Sequence, residues 1–200
     1  MDVLTPTTNP ASARYYSRPL EPTDFDQYMR VLAENRDRLE PSGQAHTTDE
    51  APSAAEFAEW VDQLAVLRSL DQRYEFGWFD GDVLMAVGSL WGVVRGSAQS
   101  AFIAGWLAAS HARVGAGGEL FVATCRFAFE ELGLHRLEAP ILLDNQAVDR
   151  LFRSFGLRDE GVAERSLLVN GEWRDHRRYV ITAEEWQARG DELQGRSSSV

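Results

Sequence analysis

The chain has 200 residues, of which 44% are hydrophobic, and it carries a formal net charge of −11 at pH 7. This length and apolar content suit one globular domain with a real core rather than a disordered chain. The acidity argues against a protein that binds nucleic acid or an anionic membrane, since both need a basic face, and it is compatible with an amine substrate.

The first third of the chain predicts a loose arm, a short strand and two helices. Residues 1–13 are rich in Thr, Pro, Ala and Ser, which is typical of a flexible arm, and residues 14–20 predict the first strand. Acidic and capping residues at positions 21–24 predict the start of a helix. Ser53, with Glu56 three residues later, predicts a capping box at the start of a second, amphipathic helix.

Three strands are predicted next. Residues 73–79 and 83–91 predict a hairpin, because Asp80-Gly81 between them is a strong turn signal. Residues 98–109 predict a further strand with an apolar body. The hairpin indicates antiparallel pairing ahead of the middle of the chain.

A glycine cluster opens a long apolar helix. Gly115, Gly117 and Gly118 stand directly before a segment of helical periodicity that ends at Gly133. Without Cβ atoms, backbone N–H groups can approach a ligand closely, and a helix N-terminus favours negative charge. The cluster predicts either a seat for a phosphate-bearing ligand or a flexible turn before a core helix, and the glycines alone favour the turn. Cys125 lies inside this helix, where a buried hydrophobe is commoner than a nucleophile.

The last part of the chain predicts a strand, a short helix and a hairpin. Residues 136–143 predict the strand, and Pro140 within it predicts a bulge or an unpaired edge. Asn145 predicts the cap of the short helix. Asn170-Gly171 predicts a type I′ turn between the last two strands.

In chain order, the predicted elements run β-α-α-β-β-β-α-β-α-β-β. This order indicates an α/β fold: a mixed, mostly antiparallel twisted sheet with a central βαβ-like unit at the glycine cluster and flanking helices. No linker or repeat divides the chain, so residues 14–189 are expected to form one domain, with residues 190–200 as a mobile tail. A single cysteine, no apolar run that could span a bilayer and no signal-peptide pattern predict a cytoplasmic protein.

Two common phosphate-binding motifs fit the glycine cluster poorly. Read from Gly115, the dinucleotide pattern G-x-G-x-x-G finds Gly117 but then meets Leu120. Glu138 lies about 20 residues on, where a ribose-binding acid belongs, but the preceding hairpin is unlike the first strand of such a domain. A Walker-type loop is excluded because no Gly-Lys-Ser/Thr sequence follows.

A set of separate motifs in a fixed order resembles one known family. The motifs are Gly115-Ala116-Gly117, residues 129–139, Asp144-Asn145, Phe155-Gly156-Leu157 and Glu160-Gly161. In this order and spacing they resemble the GNAT superfamily of acetyl-CoA-dependent N-acetyltransferases, and within it the Rim-type branch, which includes ribosomal-protein N-terminal acetyltransferases. The resemblance runs from about residue 14 to residue 186.

The resemblance implies acetyl-CoA as the cofactor and assigns residues to it. Backbone amides of the glycine turn would hold the CoA pyrophosphate, and the splayed end of the strand at residues 103–108 would pair with the pantetheine arm. Asn145 would contact the cofactor while it also caps its helix. The implied cofactor-binding residues are Trp106, Leu107, Arg113, Val114, Gly115, Ala116, Gly117, Gly118, Glu119, Asn145 and Phe152.

The sequence departs from the family at the groups that handle protons. Val148 stands where the Rim-type branch often has serine, and Phe152 where many members have tyrosine; such hydroxyls are the usual donors to the leaving thiolate. Transfer to an amine also needs a proton acceptor. Glu138, acting through water, is the candidate base, and a salt bridge to Arg136 is its alternative role. Tyr179 is a further candidate for proton transfer, by residue type alone.

The implied reaction is direct acetyl transfer to a primary amine, either a protein N-terminus or a small molecule, with no nucleic acid, membrane or metal involved. The missing hydroxyls motivate an alternative, a GNAT-fold CoA-binding or regulatory module with little or no turnover. Trp78, Trp91 and Trp173 are candidates to line the acceptor pocket, although such residues more often belong to the core. His111 is a candidate for phosphate contact or proton transfer. The protein is expected to be a monomer or a homodimer.

Overall fold

The computed structural model describes residues 15–42, 51–112 and 115–189. The predicted arm at residues 1–13 and the predicted tail at residues 190–200 lie outside the described residues. In chain order the strands are β1 (Tyr15–Arg18), β2 (Arg73–Asp80), β3 (Val83–Val94), β4 (Ser100–Leu107), β5 (Arg136–Leu142), β6 (Arg158–Val169) and β7 (Glu172–Thr182). The helices are α1 (Phe25–Glu34), α2 (Arg36–Leu39), α3 (Ala54–Ser69), α4 (Ala116–Arg126), α5 (Gln146–Ser154) and α6 (residues 183–189).

Within the described residues, the strands form one sheet with a single parallel pairing. The sheet has seven strands in the order β1-β2-β3-β4-β5-β7-β6. The strands β4 and β5 run parallel to each other, and every other neighbouring pair is antiparallel. The unit β4–α4–β5 is therefore the predicted βαβ unit, and the prediction of a mixed, mostly antiparallel sheet with flanking helices is confirmed.

Local turn and cap signals are mostly confirmed. The Glu56 N–H donates to Ser53 Oγ at 3.3 Å, and the Ser53 N–H donates to Glu56 Oε2 at 2.7 Å, which is the predicted capping box of α3. Asn170 and Gly171 both have positive φ, +50° and +80°, as a type I′ turn requires.

The first hairpin forms, but the prediction placed its turn one residue too early. Asp80 still belongs to the ladder, where it pairs with Val83, so the two-residue turn is Gly81-Asp82. Of these two residues, Gly81 alone has a positive φ, +56°. The flexible glycine therefore takes the first turn position rather than the second.

Two hydrophobic clusters cover the two faces of the sheet. On one face α4 and α5 pack against a cluster that includes Trp78, Phe121, Cys125 and Tyr179. On the other face α1 and α3 pack against a cluster that includes Tyr28, Phe57 and Trp106. Cys125 is fully buried, and this burial raises the pKa of its thiol, as expected for a packing residue.

Charged residues form a network across β5, β7 and β6. The Glu160 carboxylate accepts hydrogen bonds from Arg136 Nη2 at 2.6 Å, Arg158 Nη2 at 3.1 Å and Arg178 Nη2 at 3.2 Å. These guanidinium groups, Arg136 first, lower the pKa of Glu160 from its ordinary value of 4.5 to about 2. The network ties the last three strands of the sheet to one another.

The Glu160 network should contribute stability that depends on pH. Because the pKa of Glu160 is lowered on folding, its contribution is complete above pH 4.5 and is lost as the pH falls toward about 2. Since the site is partly open to solvent, Glu160→Gln should reduce the free energy of unfolding by about 1 kcal/mol at pH 7.

Urea unfolding of Glu160→Gln and wild type at pH 7 and at pH 3 measures this effect. The matched control is Glu164→Gln, an exposed residue of the same strand that makes no ion pair within the part of the chain that the structure describes. An equal loss of stability at both pH values would contradict the ion-pair explanation.

Candidate functional site

The parallel strands β4 and β5 separate after three residue pairs. Pairing runs from Ser100 with Arg136 to Phe102 with Glu138 and then stops. Beyond this point β4 continues beside β3, and β5 continues beside β7. The result is a fork in the middle of the sheet, whose vertex is the pair Phe102–Glu138.

The arms of the fork are open. Ala104 and Gly105 are exposed although they lie in a central strand. Pro140 lies in the unpaired stretch of β5, where its lack of an N–H leaves no donor unsatisfied. The prediction of an unpaired edge at Pro140 is confirmed.

Backbone groups of β4 point into the fork. The Ala108 N–H donates to the Met85 carbonyl of β3 at 2.7 Å. Because such groups alternate in direction along a strand, Leu107 and Gly105 direct their N–H and C=O groups away from β3, toward the gap. Gly105 is required here, since a Cβ would lie 2.6 Å from the Val87 carbonyl oxygen. An extended arm carrying amide groups can pair with this edge like an added strand.

The glycine turn lies at the open end of the fork. Gly115 has a φ of +80°, and its carbonyl accepts the N–H groups of Gly118 and Glu119 at 3.0 and 3.2 Å. Ala116 and Gly117 occupy the first two helical positions, whose N–H groups have no partner within a helix. These two amides and the helix dipole form a seat for an anion.

Contacts around Gly117 join this seat to the fork. A Cβ on Gly117 would lie 3.7 Å from Leu107 Cδ2 and 3.9 Å from Leu151 Cδ2. The turn therefore lies between the end of β4 and the helix α5. From Leu107 back to Phe102 the strand covers about 16 Å, at about 3.3 Å per residue. Arg113 and Val114, also assigned to this seat from the sequence, lie outside the described residues.

The helix α5 forms one wall of the fork and offers no hydroxyl there. Asn145 Oδ1 accepts the Val148 N–H at 3.3 Å, so Asn145 caps α5 as the sequence predicts. Phe152 is buried between the rings of Phe121 and Tyr179, at centroid distances of 5.4 and 5.6 Å. The contact of Asn145 and Phe152 with a cofactor stays a prediction.

Glu138 lies at the vertex of the fork, on the face of the sheet that carries α1 and α3. Glu138 pairs with Phe102 of β4, and paired residues share a face. Trp106, four residues after Phe102 in β4, points to the same face and contacts Tyr28 of α1. Glu138 Oε1 accepts Arg136 Nε at 3.0 Å, and Oε2 lies 3.6 Å from Arg178 Nε. The ion pair with Arg136 considered from the sequence is therefore present.

Tyr179 lies on the opposite face of the sheet from Glu138. It pairs with Ala139, the next residue of β5, and its ring packs against Phe152. Its hydroxyl donates to Asp149 Oδ1 at 2.8 Å. Burial, together with this hydrogen bond to Asp149, raises the pKa of Tyr179 to about 12.

Other candidates from the sequence are placed away from the fork vertex. His111 Nε2 lies 3.4 Å from Asp80 Oδ2, near the edge strand β1. The side chain of Trp106 belongs to the cluster under α1 and α3, whereas Leu107 beside it faces the glycine turn. Trp78 is a core residue, and Trp173 is 63% exposed on the β6–β7 hairpin.

Asn35, which follows the last residue of α1, supports the site. It is buried, and its Oδ1 accepts the Ala109 N–H at 2.7 Å while its Nδ2 donates to the Val31 carbonyl at 2.8 Å. Asn35 thereby fixes the loop between β4 and the glycine turn to the end of α1. No local sequence pattern marks this role, because the burial of Asn35 depends on the fold; once buried, its amide needs hydrogen-bond partners.

The described residues lack membrane-spanning helices and clusters of metal-binding side chains. Across residues 15–42, 51–112 and 115–189, no helix is both long enough and apolar enough to cross a bilayer. The same residues include no group of three or more His, Cys, Asp or Glu side chains arranged to hold a metal ion.

Comparison with known proteins identifies relatives over most of the chain. Residues 14–158 match the family described as "Acetyltransferase (GNAT) domain". The chain is 32% identical over 174 residues to the Probable N-acetyltransferase YjcK of Bacillus subtilis, covering 83% of this chain and 92% of the relative. It is 27% identical over 132 residues to the ribosomal protein uS5-alanine N-acetyltransferase of Escherichia coli, covering 64% of this chain and 68% of that protein.

A solved structure has the same fold. Mycobacterium smegmatis RimJ in complex with CoA-disulfide superposes with a TM-score of 0.76 at 22% identity, covering 88% of this chain and 89% of that one. The open fork, the glycine turn at its end and the family match together confirm the resemblance drawn from the motifs. The chain belongs to the GNAT acetyltransferase family.

Proposed function

We propose that this protein transfers the acetyl group of acetyl-CoA directly to a primary amine. The observation that carries the proposal is the fork between β4 and β5, which opens over the anion seat at Gly115–Gly117. When bound, acetyl-CoA supplies a thioester, which is activated toward attack by an amine. The residues present fit this cofactor, because the fork offers an unpaired strand edge and the seat offers free amides.

The binding roles follow from where the backbone groups point. Ala116 and Gly117 would donate their N–H groups to the pyrophosphate, beside the N-terminus of α4. Gly105 and Leu107 would pair with the amides of the pantetheine arm. The thioester end would then lie near the vertex, Phe102–Glu138, because the strand from Leu107 to Phe102 spans about 16 Å.

Glu138 is the proposed proton acceptor for the amine. It lies at the vertex, on the face covered by α1 and α3, and two guanidinium groups fix the direction of its carboxylate. From this position it accepts a proton through water, while an N–H of β4 polarises the thioester carbonyl. The alternative is that Glu138 serves only as a structural ion-pair partner, and the kinetic test below distinguishes that role from proton transfer.

Tyr179 is the proposed source of the proton for the departing thiolate. Its pKa of about 12 is above that of an ordinary thiol, about 8.5, so complete transfer from its hydroxyl is uphill. The thiolate is itself a stable leaving group at neutral pH. Much of the rate is therefore assigned to positioning of the reactants in the fork.

The acceptor is proposed to be the N-terminus of a protein or a small amine. The relative in Escherichia coli named for ribosomal protein uS5 supports the first, and the net charge of −11 suits either.

Val148 and Phe152, which bring no hydroxyl to α5, favour a second function: a CoA-binding or regulatory module with little turnover. We further propose that residues 14–189 form a single domain, which the family match over residues 14–158 supports. The protein is proposed to be cytoplasmic and to be a monomer or a homodimer.

Substitutions at Gly117 test the cofactor seat. Gly117→Ala should fold normally, because its Cβ would be at ordinary contact distances of 3.7 and 3.9 Å from its neighbours. Gly117→Trp should weaken CoA binding by about a hundredfold, roughly 2.7 kcal/mol, because the indole fills the space in front of the amides. Calorimetric titration with CoA measures this, with thermal unfolding as the check on folding. Unchanged CoA affinity in Gly117→Trp would place the cofactor elsewhere.

Turnover with amines tests the transferase and the role of Glu138. Release of free thiol from acetyl-CoA is measured across a panel of peptides and small primary amines, and at least one acceptor should give saturable turnover. Glu138→Gln should lower kcat by about a hundredfold and leave the affinity for CoA unchanged, since a general base contributes 10²–10⁴-fold. CoA binding by the wild type without turnover on any amine would favour the regulatory module. A kcat of Glu138→Gln equal to that of the wild type would leave the residue with only its ion pair.

Tyr179→Phe tests the proton donor, with Asp149→Ala as its matched control. Both substitutions remove the hydrogen bond between Tyr179 and Asp149, but the second keeps the phenol. If the hydroxyl donates the proton, Tyr179→Phe should lower kcat at least tenfold, and Asp149→Ala should not. Equal effects of the two variants on kcat would show that the hydrogen bond acts on structure alone.

A further inference from the structure

An aromatic pair stands next to the vertex of the fork. Trp91 of β3 and Phe102 of β4 are directly paired, and their rings stack with centroids 4.4 Å apart and planes at 23°. Both side chains are half-buried. Among the described residues, neither belongs to the two hydrophobic clusters that hold the helices on the sheet. The core of the protein therefore does not account for this pair.

The pair lies on the face from which the amine reaches Glu138. Phe102 is the partner of Glu138 at the vertex, so their side chains leave the sheet on the same side. Trp91 is the partner of Phe102 in the next strand. Neighbouring strands are about 4.8 Å apart, which places the backbone of Trp91 roughly 10 Å from that of Glu138. The rings thus form a floor that extends sideways from the reacting centre.

The charges around this floor are paired with one another. Beyond Trp91 in the same row, Arg73 donates Nε to Glu75 Oε2 at 2.8 Å. On the other side, Glu138 is held by Arg136 and Arg178. Glu75 and Glu138, on the two sides of the floor, thus each have a guanidinium partner. Neither of these two described carboxylates is uncommitted for the second ammonium group of a polyamine, whereas a neutral ring can cover the floor.

We propose that Trp91 and Phe102 bind an aromatic ring that the acceptor carries about two carbon atoms from its amine. The inference rests on the proposed function, since the acetyl group at the vertex places the amine. When the amine of the acceptor lies over Glu138, the aromatic ring of the acceptor lies above Phe102 and Trp91. Offset or edge-on contacts between the rings then contribute to binding in addition to burial of the ring. Phenethylamine and an N-terminal phenylalanine share this chemistry, and the test distinguishes them.

Conjugates of CoA with acceptor amines test this without relying on turnover. In each conjugate an acetyl link joins the CoA sulfur to one amine. The conjugates form two matched pairs, and the members of a pair differ by an aromatic ring: phenethylamine is compared with ethylamine, and Phe-Gly-Gly with Ala-Gly-Gly. A spermidine conjugate is the polycation control. We expect the ring to tighten binding about tenfold in at least one pair, in calorimetric titrations. The ratio compared is the Kd of the ring-free conjugate divided by the Kd of the ring-bearing conjugate. The pair with the larger ratio shows whether the acceptor is a small amine or a peptide N-terminus.

Trp91→Ala should abolish the ring preference and leave the affinity for CoA itself unchanged. Phe102→Leu gives a second measurement that keeps the apolar volume, and Leu70→Ala, at an exposed position beyond α3, is the surface control. Equal binding of ring-bearing and ring-free conjugates, tightest binding of the spermidine conjugate, or a ring preference that survives both substitutions would overturn the aromatic floor. No binding of CoA itself would instead reject the proposed function.

Discussion

The parting of β4 from β5 beyond Phe102 and Glu138 is the constraint on which the rest of the site depends. A gap in the centre of a sheet leaves backbone groups without partners, which is costly in a folded protein. Here the cost is limited, because β3 and β7 satisfy the outer edges of both strands and Pro140 has no N–H to leave unpaired. What remains is an edge that a ligand with its own amides can satisfy.

Several contacts on the outer sides of the two strands hold the gap open. Gly105 permits β3 to press closely on β4, since a Cβ there would lie 2.6 Å from the Val87 carbonyl oxygen. Asn35 fixes the loop that leads from β4 to the glycine turn. On the other arm, the arginines around Glu160 bind β5 to β7 and β6. Each arm of the fork is therefore rigid through its own neighbours, and the two arms need not touch.

The sequence revealed the parts of this arrangement that local chemistry dictates. The Ser53 capping box, the Asn170-Gly171 turn and the unpaired edge at Pro140 each follow from a few adjacent residues. The turn at Gly81-Asp82 was misplaced by one residue, because register depends on the facing strand as well as on the turn. The bond from Asn35 to Ala109 joins residues 74 positions apart, so no local pattern signals it. The Trp91–Phe102 stack likewise required the pairing of β3 with β4.

The two candidate proton-transfer groups lie on opposite faces of the sheet, and this separates the two halves of the proposed reaction. Glu138 belongs to the face of α1 and α3, where an amine can approach, and Tyr179 belongs to the face of α4 and α5. A proton taken from the amine therefore need not be the one given to the thiolate. The absence of hydroxyls at Val148 and Phe152 then affects only the thiolate half, which is the less demanding one because a thiolate leaves readily without a donor. The fork and Glu138 would still position and deprotonate the amine, so the loss of these hydroxyls by itself is a weak argument for an inactive protein.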